Sequence, residues 1–244
     1  IRSEVGPEIL YFKKISAIGI TNQRETICFW DKSTGVPLAR AIVWQDKRSA
    51  DICKFLASKG HLQSIRKKTG LTLDPYFSGS KIKWSLANNN AIKAAYAKGR
   101  LCVGTVDTYI LARLTGFTSY ATDASNASRT LLYNLKKGEW DRDLAKLFGI
   151  KKIELLPEVK DSFTLFGKTN RCVFLPDGIP ITGILGDQQS ALLGQGCIAE
   201  GMSKCTFGTG AFILTNAGHQ LKQVPKEFIT TIAWQIKGKR FYAL

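Results

Sequence analysis

Apolar runs suited to strands alternate along this chain with apolar patterns suited to helices. Runs rich in branched side chains and bounded by polar residues are typical of buried strands. They occur at Ile15 to Thr21, Leu101 to Gly104 and Ile179 to Thr182. Apolar residues at helical spacing predict helices after Asp46, from Ser80, from Ala91 to Lys98, from Thr105 to Leu114 and from Trp140 to Phe148. This alternation favours an α/β fold built on an open sheet.

Two further segments have the pattern of β-hairpins. Thr26 to Trp30 and Leu38 to Trp44 flank a polar turn, and a glycine-containing turn, Thr206 to Gly210, lies between apolar runs. By contrast, Asn126 to Thr130 is polar and predicted to be a loop, followed by the apolar Leu131 to Tyr133. Pro157 to Gly178 is predicted to be the longest irregular region.

A polar cluster follows the first predicted strand. In open α/β sheets ligands collect beyond the carboxyl ends of strands, which is where Arg24 and Glu25 fall. A guanidinium fork beside a carboxylate can bind a ligand that both donates and accepts hydrogen bonds. An isolated Arg-Glu pair is, however, more often a solvated charge pair on a loop.

The region from Gly183 to Phe212 carries the strongest chemical signal. It predicts a strand, a tight turn and a helix, with Asp187 at the helix start, where free N–H groups and the helix dipole keep a carboxylate ionised and fixed. The later turn Gly208-Thr209-Gly210 offers backbone N–H groups to phosphate oxygens. A placed base and a phosphate turn suggest phosphoryl transfer, although Asp is also an ordinary N-cap residue and Gly-Thr-Gly an ordinary turn.

Composition narrows the class of protein. The chain has 244 residues, of which 44% are hydrophobic and 22% charged, which is typical of a globular protein. It lacks an apolar run of roughly 18 residues and a signal peptide, so no membrane span and a cytoplasmic location are expected. The net charge of +16 is scattered and not interleaved with aromatics, which argues against nucleic-acid binding. The six cysteines are expected to be buried, reduced thiols.

Seven polar or glycine-containing segments carry a family resemblance. They are Ile20 to Glu25, Ile42 to Asp46, Asp74 to Gly79, Gly104 to Thr108, Asn126 to Thr130, Gly183 to Gln189 and Phe207 to Gly210. Together, in this order, they closely resemble the FGGY carbohydrate kinases and, within that family, its glycerol kinase members. The resemblance extends from about Ala17 to Asn216.

The resemblance implies a fold and a domain organisation. The fold is expected to be of the actin-like ATPase, or ribonuclease H-like, α/β type. Residues 1–190 would form most of the N-terminal domain and residues 191–244 the start of the C-terminal domain. The family's first phosphate hairpin and the adenine-binding half of its second domain have no counterpart in this sequence. With Ile1 at the start and Met202 as the only methionine, the chain is expected to be an internal piece of a longer protein.

The same resemblance implies residue roles. Asp187 would take the proton from the attacking hydroxyl and bind Mg²⁺, with Gln188 beside it on the substrate. Arg24, Glu25 and Tyr76 would bind hydroxyls, while Trp44 and Phe212 would pack against the carbon backbone. Gly208, Thr209 and Gly210 would bind the nucleotide phosphates. From their type alone, the three aromatic residues would be interpreted as core.

These roles imply that ATP, with Mg²⁺, phosphorylates glycerol to sn-glycerol 3-phosphate in the complete protein, as the first step of glycerol catabolism. The chain alone is expected to be inactive, and self-association is left open. Three alternatives stay open: an FGGY kinase for xylulose or gluconate, a non-catalytic remnant, and a basic nucleic-acid module. Arg24 and Glu25 together with Tyr76 favour the glycerol kinase members.

Overall fold

The computed structural model describes residues 15–208, 210–222 and 224–244. Its strands are β1 Ile18–Asn22, β2 Ile27–Asp31, β3 Leu101–Thr105, β4 Ala121–Asp123, β5 Tyr133–Asn134, β6 Glu139–Trp140, β7 Glu158–Lys160, β8 Gly167–Lys168, β9 Pro180–Gly186, β10 Ser203–Phe207, β11 Ala211–Thr215, β12 Thr231–Ile236 and β13 Lys239–Ala243. Its α-helices are α1 Ala50–Ser58, α2 Leu62–Thr69, α3 Ser78–Asn88, α4 Asn90–Ala97, α5 Val106–Leu114, α6 Ala124–Ala127, α7 Arg142–Leu147 and α8 Asp187–Gly194.

The sheet that positions the site pairs two strands far apart in sequence. Strand β1 runs parallel to β9, with Asn22 opposite Gly186, and β8 pairs with the other edge of β9. Because β1 and β9 are parallel, the residues after Asn22 and after Gly186 emerge at the same edge. The predicted tight turn before Asp187 is not present, since β9 continues to Gly186 and α8 begins directly at Asp187. Gly186 is therefore the N-cap, and Asp187 is the first helical residue.

The two hairpin predictions have different outcomes. β10 and β11 pair antiparallel around the glycine turn, as expected. The regular partner of β2 is β3, whereas the segment after Gly35 meets β2 only through isolated bridges at Pro37 and Ile42. Proline cannot donate to a ladder, and Ile42 is the only fully buried side chain between Leu38 and Trp44. The fully buried strand β3 takes the place of the predicted second arm.

Several elements differ from the sequence prediction. Helix α2 was not predicted because only Ile65 and Thr69 are buried on it, and its last turn is basic, so its apolar stripe is narrow. The first two residues of the predicted loop Asn126 to Thr130 belong instead to α6, and the predicted irregular region from Pro157 contains β7 and β8. Strand β5 was not predicted. These elements are four residues or shorter, too short to show a period.

The largest core cluster lies where α1 to α4 cover β2 and β3. It includes Phe29, Ile65, Leu71, Ile82, Ile92, Val103 and Phe148. A second cluster, with Leu185, Leu192 and Trp234, packs beneath α8. Both clusters support the strand ends that carry the polar residues, so the site rests on rigid elements.

All six cysteines fall in the described ranges and are free thiols. Three of them are buried, but Cys28 and Cys172 are half-buried and Cys205 is exposed, so the prediction of buried thiols is wrong for Cys205. Cys205 lies on the outer face of the β10–β11 hairpin, where alternate residues point away from the core. None of the described helices is long and apolar enough to cross a bilayer.

Candidate active site

The turn after β1 places Arg24 and Glu25 inside the protein. Glu25 has a φ of +62°, a left-handed conformation that a non-glycine residue rarely adopts. The surrounding contacts hold it there, since Ser78 Oγ donates to the Glu25 carbonyl at 2.9 Å and both side chains are buried. Such a constrained backbone is typical of functional sites, where it fixes the direction of a side chain.

Arg24 joins the ends of the two parallel strands. Its Nε lies 3.2 Å from Asp187 Oδ1 and 3.8 Å from Glu25 Oε1, and Nη1 donates to Gln189 Oε1 at 3.3 Å. The buried Nε–H makes no hydrogen bond to the residues that the structure describes. The guanidinium is thus held between the carboxylates of Glu25 and Asp187.

Glycine at position 186 makes this approach of the two strand ends sterically feasible. A Cβ atom there would lie 2.7 Å from Arg24 Cγ and 2.9 Å from Gln189 Oε1. Distances this short require the arginine or the helix to move. Glycine at position 186 therefore leaves room for Arg24 and Gln189 beside the start of α8.

Arg129 is a residue of this site to which the sequence assigned no role. Its Nε donates to Glu25 Oε1 at 2.6 Å, and its guanidinium carbon lies 5.0 Å from the Phe77 ring centroid and 6.0 Å from that of Tyr76. Burial lowers the pKa of Arg129, and the Glu25 carboxylate opposes that shift. Arg129 stands in one of the seven recognised segments, but nothing in that segment shows that its partner is Glu25.

The three aromatic residues predicted for the substrate wall come together. The Trp44 ring centroid lies 5.3 Å from that of Tyr76 and 6.4 Å from that of Phe212. Tyr76 and Phe212 line a cavity of about 410 Å³ together with Arg24 and Arg129. Burial and the nearby Glu25 raise the pKa of the Tyr76 hydroxyl, so it stays protonated and able to donate. The cavity combines an apolar wall with cationic donors.

Asp187 lies beside Arg24, and its side chain is 43% exposed. Its Oδ1 accepts a hydrogen bond of 2.6 Å from the Gln188 backbone N–H, which orients the carboxylate. The Gln188 side chain accepts from Lys204 Nζ, which also donates to Thr206 Oγ1 at 2.7 Å. Burial, followed by repulsion from Arg24, lowers the pKa of Lys204. Sequence reasoning missed Lys204, because an isolated lysine in a strand gives no sign that it is buried.

The predicted phosphate turn is partly described. Gly208 N–H donates to the Gly210 carbonyl at 3.0 Å, which closes a tight turn between β10 and β11, while Thr209 lies outside the described residues. Among the described residues, no cluster of three or more His, Cys, Asp and Glu could enclose a metal ion. Mg²⁺ nevertheless fits, because it commonly binds one or two carboxylates together with substrate phosphates, and the exposed Asp187 supplies one carboxylate.

The fold and this site define a sugar-kinase type of protein. Residues 7–194 match the model for the N-terminal domain of the FGGY family of carbohydrate kinases, and the chain belongs to that family. The predicted actin-like ATPase fold and the predicted resemblance to glycerol kinases are both confirmed.

Individual relatives agree on the branch of the family. The chain is 50% identical to the glycerol kinase of Sinorhizobium fredii over 94% of its own length and 52% identical to that of Rhodopseudomonas palustris. The solved glycerol kinase of Plasmodium falciparum, determined with ADP, matches at 41% identity with a TM-score of 0.89 over 94% of this chain and 46% of that one. The chain spans about half the length, 46%, of the curated relatives it matches.

Proposed function

We propose that the full-length product of the gene encoding this chain phosphorylates glycerol with ATP, giving sn-glycerol 3-phosphate. The observation that carries the proposal is the convergence of Arg24, Glu25 and Asp187 at one sheet edge beside the aromatic wall. The identity of about half the positions to several glycerol kinases supports the same substrate. Likeness to a gluconate kinase, at 22% identity, extends to the fold alone.

In this proposal the chain's own residues bind and orient the triol. Arg24, which lines the cavity, donates from its guanidinium, and Glu25, fixed by Arg129, accepts from a neighbouring hydroxyl. Trp44, Tyr76 and Phe212 pack against the carbon backbone and keep water away, and Gln188 adds a polar contact at the reacting end. Asp187 accepts the proton of the attacking hydroxyl. The oxygen of that hydroxyl forms a bond to the transferred phosphorus, and the bond between this phosphorus and the leaving ADP breaks.

The proposed contacts to the nucleotide come from the β10–β11 turn and from Asp187. The turn Gly208-Thr209-Gly210 would bind the phosphates of ATP, with the N–H groups of residues 209 and 210 and the Thr209 hydroxyl as donors, since the Gly208 N–H is already donated to the Gly210 carbonyl. Asp187 would hold Mg²⁺, which neutralises the phosphates when bound. We further propose that residues 1–190 belong to the N-terminal domain and residues 191–244 to the start of the second, and that the protein acts in the cytoplasm.

The replacement Asp187→Asn tests the assignment of the base. The amide keeps the shape but cannot take a proton, so we expect turnover of glycerol to fall by about a thousandfold or more while glycerol binding persists. Turnover would be measured on the full-length product with glycerol, xylulose and gluconate, and binding by calorimetry. Asp51→Asn, which changes a carboxylate that is 95% exposed, is the matched control and should leave turnover unchanged. Near-normal turnover in Asp187→Asn would refute the assignment.

A further inference from the structure

Lys81 is a buried cation behind the substrate wall to which the proposed reaction gives no role. It lies in the first turn of α3, and its side chain has no exposed surface. A fully buried lysine is rare, because removing an ammonium from water is costly unless other groups compensate. Its contacts therefore indicate what it stabilises.

Those contacts are all on the loop that carries the substrate-wall tyrosine. Lys81 Nζ donates to the carbonyl oxygens of Pro75 and Tyr76, the latter at 2.7 Å. On the other side of the same peptide group, Asp74 Oδ1 accepts from the Tyr76 N–H at 2.8 Å. The backbone of Tyr76 is thus held from both sides, which fixes where its ring meets Trp44.

Acidic groups from several elements surround the ammonium. Glu25 after β1, Asp46 before α1 and Asp74 after α2 favour its charged form, while Cys53 on α1, whose pKa is raised by burial, faces it as a neutral thiol. Burial acts more strongly in the opposite direction and lowers the pKa of Lys81 to about 8. The amine consequently changes charge within a pH range in which the enzyme can be assayed.

We propose that Lys81 is a positioning residue for the polyol site: it fixes the Tyr76 backbone so that the Tyr76 ring stands against Trp44 and beside the Glu25 carboxylate. This inference rests on the proposed function, because Tyr76 is taken as a substrate contact. It assigns Lys81 no contact with the substrate. The predicted consequence is an effect on glycerol affinity that exceeds any effect on the rate of the chemical step.

Helix α3 supplies a matched control. Lys83, two residues further along, donates from Nζ to the Leu147 carbonyl at 2.9 Å, on the side of the helix away from the site. Lys81→Met and Lys83→Met each remove one ammonium that donates to backbone carbonyls. Lys83 is half-buried and donates to one carbonyl, so its variant measures the effect of losing an ammonium contact of α3 that does not involve the Tyr76 loop.

The first measurement is backbone amide exchange by mass spectrometry on the full-length product. Lys81→Met should speed exchange in peptides covering residues 74–79 by about tenfold, and Lys83→Met should leave those peptides unchanged. Equal exchange in both variants would overturn the inference. This comparison needs no glycerol and decides the positioning role even if the wild-type protein does not phosphorylate glycerol, an outcome that would refute only the proposed function.

The second measurement is the steady-state kinetics of glycerol phosphorylation as a function of pH. Lys81→Met should raise KM for glycerol about tenfold at pH 7 with kcat within about threefold of wild type, whereas Lys83→Met should change neither. In the wild type, KM should rise as the pH passes about 8 and Lys81 loses its charge. Lys81→Arg, which stays charged, should remove that rise. An unchanged KM in Lys81→Met, with active wild type, would overturn the inference.

Discussion

At the scale of single residues, the site depends on one carboxylate held between two arginines. Arg129 donates to Glu25 at 2.6 Å, while Arg24 lies 3.8 Å from the same oxygen and turns toward Asp187. The buried negative charge of Glu25 is therefore compensated by two guanidinium groups, a near one from Arg129 and a more distant one from Arg24. Loss of Arg129 would leave a buried carboxylate with only the more distant guanidinium, and such uncompensated charges are strongly destabilising.

The replacement Arg129→Met should lower the free energy of unfolding by about 3 kcal/mol or more and raise KM for glycerol, because Glu25 loses its nearest partner. Arg48→Met is the matched control: Arg48 also pairs with a carboxylate, Asp46, and lies 4.9 Å from an aromatic ring, but it is exposed. Arg48→Met should lower the free energy of unfolding by less than about 1 kcal/mol. Urea unfolding of both variants would measure the difference, and similar losses would contradict this reading of Arg129.

The sequence predicted which residues meet at this site better than it predicted what holds them. The resemblance predicted Arg24, Glu25, Trp44, Tyr76, Asp187, Gln188 and Phe212. The structure brings Arg24, Glu25 and Asp187 together, and also Trp44, Tyr76 and Phe212, while the roles of all seven stay predictions. The three buried cations Arg129, Lys81 and Lys204 were assigned no role. In a sequence, a lysine or arginine is normally read as exposed. Only long-range packing, such as that between Glu25 and Arg129, shows that these three are buried.

At the scale of elements, a buried polar network ties together the ends that support the site. Asn22 at the end of β1 exchanges hydrogen bonds with Asn126 on α6 at 2.9 and 3.1 Å. Asp123, which caps α6, also accepts from Ser162 at 2.8 Å. Asp107 in the first turn of α5 accepts from Thr122 at 2.7 Å. These hydrogen bonds between side chains therefore help to hold the strands and helices in place. The alternation of strand and helix patterns in the sequence does not predict which of these side chains meet.

Asp107 makes this network sensitive to pH. Burial, with a smaller repulsion from Asp123, raises the pKa of the Asp107 carboxyl to about 6 from an unfolded value of 3.8. Between these two values the folded state binds more protons than the unfolded state. The contribution of Asp107 to stability is therefore complete below about pH 4 and is lost as the pH rises through 6.

The variant Asp107→Asn is neutral at every pH: its Oδ1 can accept from Asn22, as Asp107 Oδ1 does, and its Nδ2 can donate to the Thr122 hydroxyl, which then accepts and no longer donates. Its advantage over wild type in free energy of unfolding should be smallest near pH 4 and grow to about 3 kcal/mol at pH 7, at 1.36 kcal/mol per pKa unit. Urea unfolding at several pH values measures this difference. The control Asp51→Asn should differ from wild type in free energy of unfolding by the same amount at every pH. A constant offset between Asp107→Asn and wild type would contradict the raised pKa.

Strand and helix alternation in the sequence was enough to predict an α/β fold, but it left the pairing of strands open. The parallel contact of β1 with β9 joins segments separated by about 160 residues, and no local pattern encodes it. For β2 the local pattern predicted the wrong partner. It predicted a hairpin with the segment after Gly35, but that segment contacts β2 only through isolated bridges at Pro37 and Ile42. The more distant and more apolar strand β3 forms the ladder with β2.

At the scale of the whole molecule, the polyol site combines the two ends of the described chain. Arg24 comes from its beginning and Phe212 from its later part, and both line the cavity, which also reaches Thr231 and Leu244. Every residue proposed to contact glycerol lies within the described ranges. If the site is formed as the structure shows, the chain by itself should bind glycerol without needing ATP or turnover.

Glycerol should therefore stabilise this chain against urea by an amount set by its affinity, about 2.7 kcal/mol at a concentration one hundred times Kd. Xylulose and gluconate at the same concentration should stabilise it less, because the proposed contacts fit a three-carbon triol. Arg24→Ala should abolish the glycerol effect by removing the guanidinium between Glu25 and Asp187, and Arg48→Met should preserve it. If glycerol stabilised wild type and Arg24→Ala equally, the effect would be that of a co-solvent acting on any protein surface. If glycerol did not stabilise the wild-type chain at all, the result would instead support the hypothesis that the chain is a remnant that does not bind the polyol.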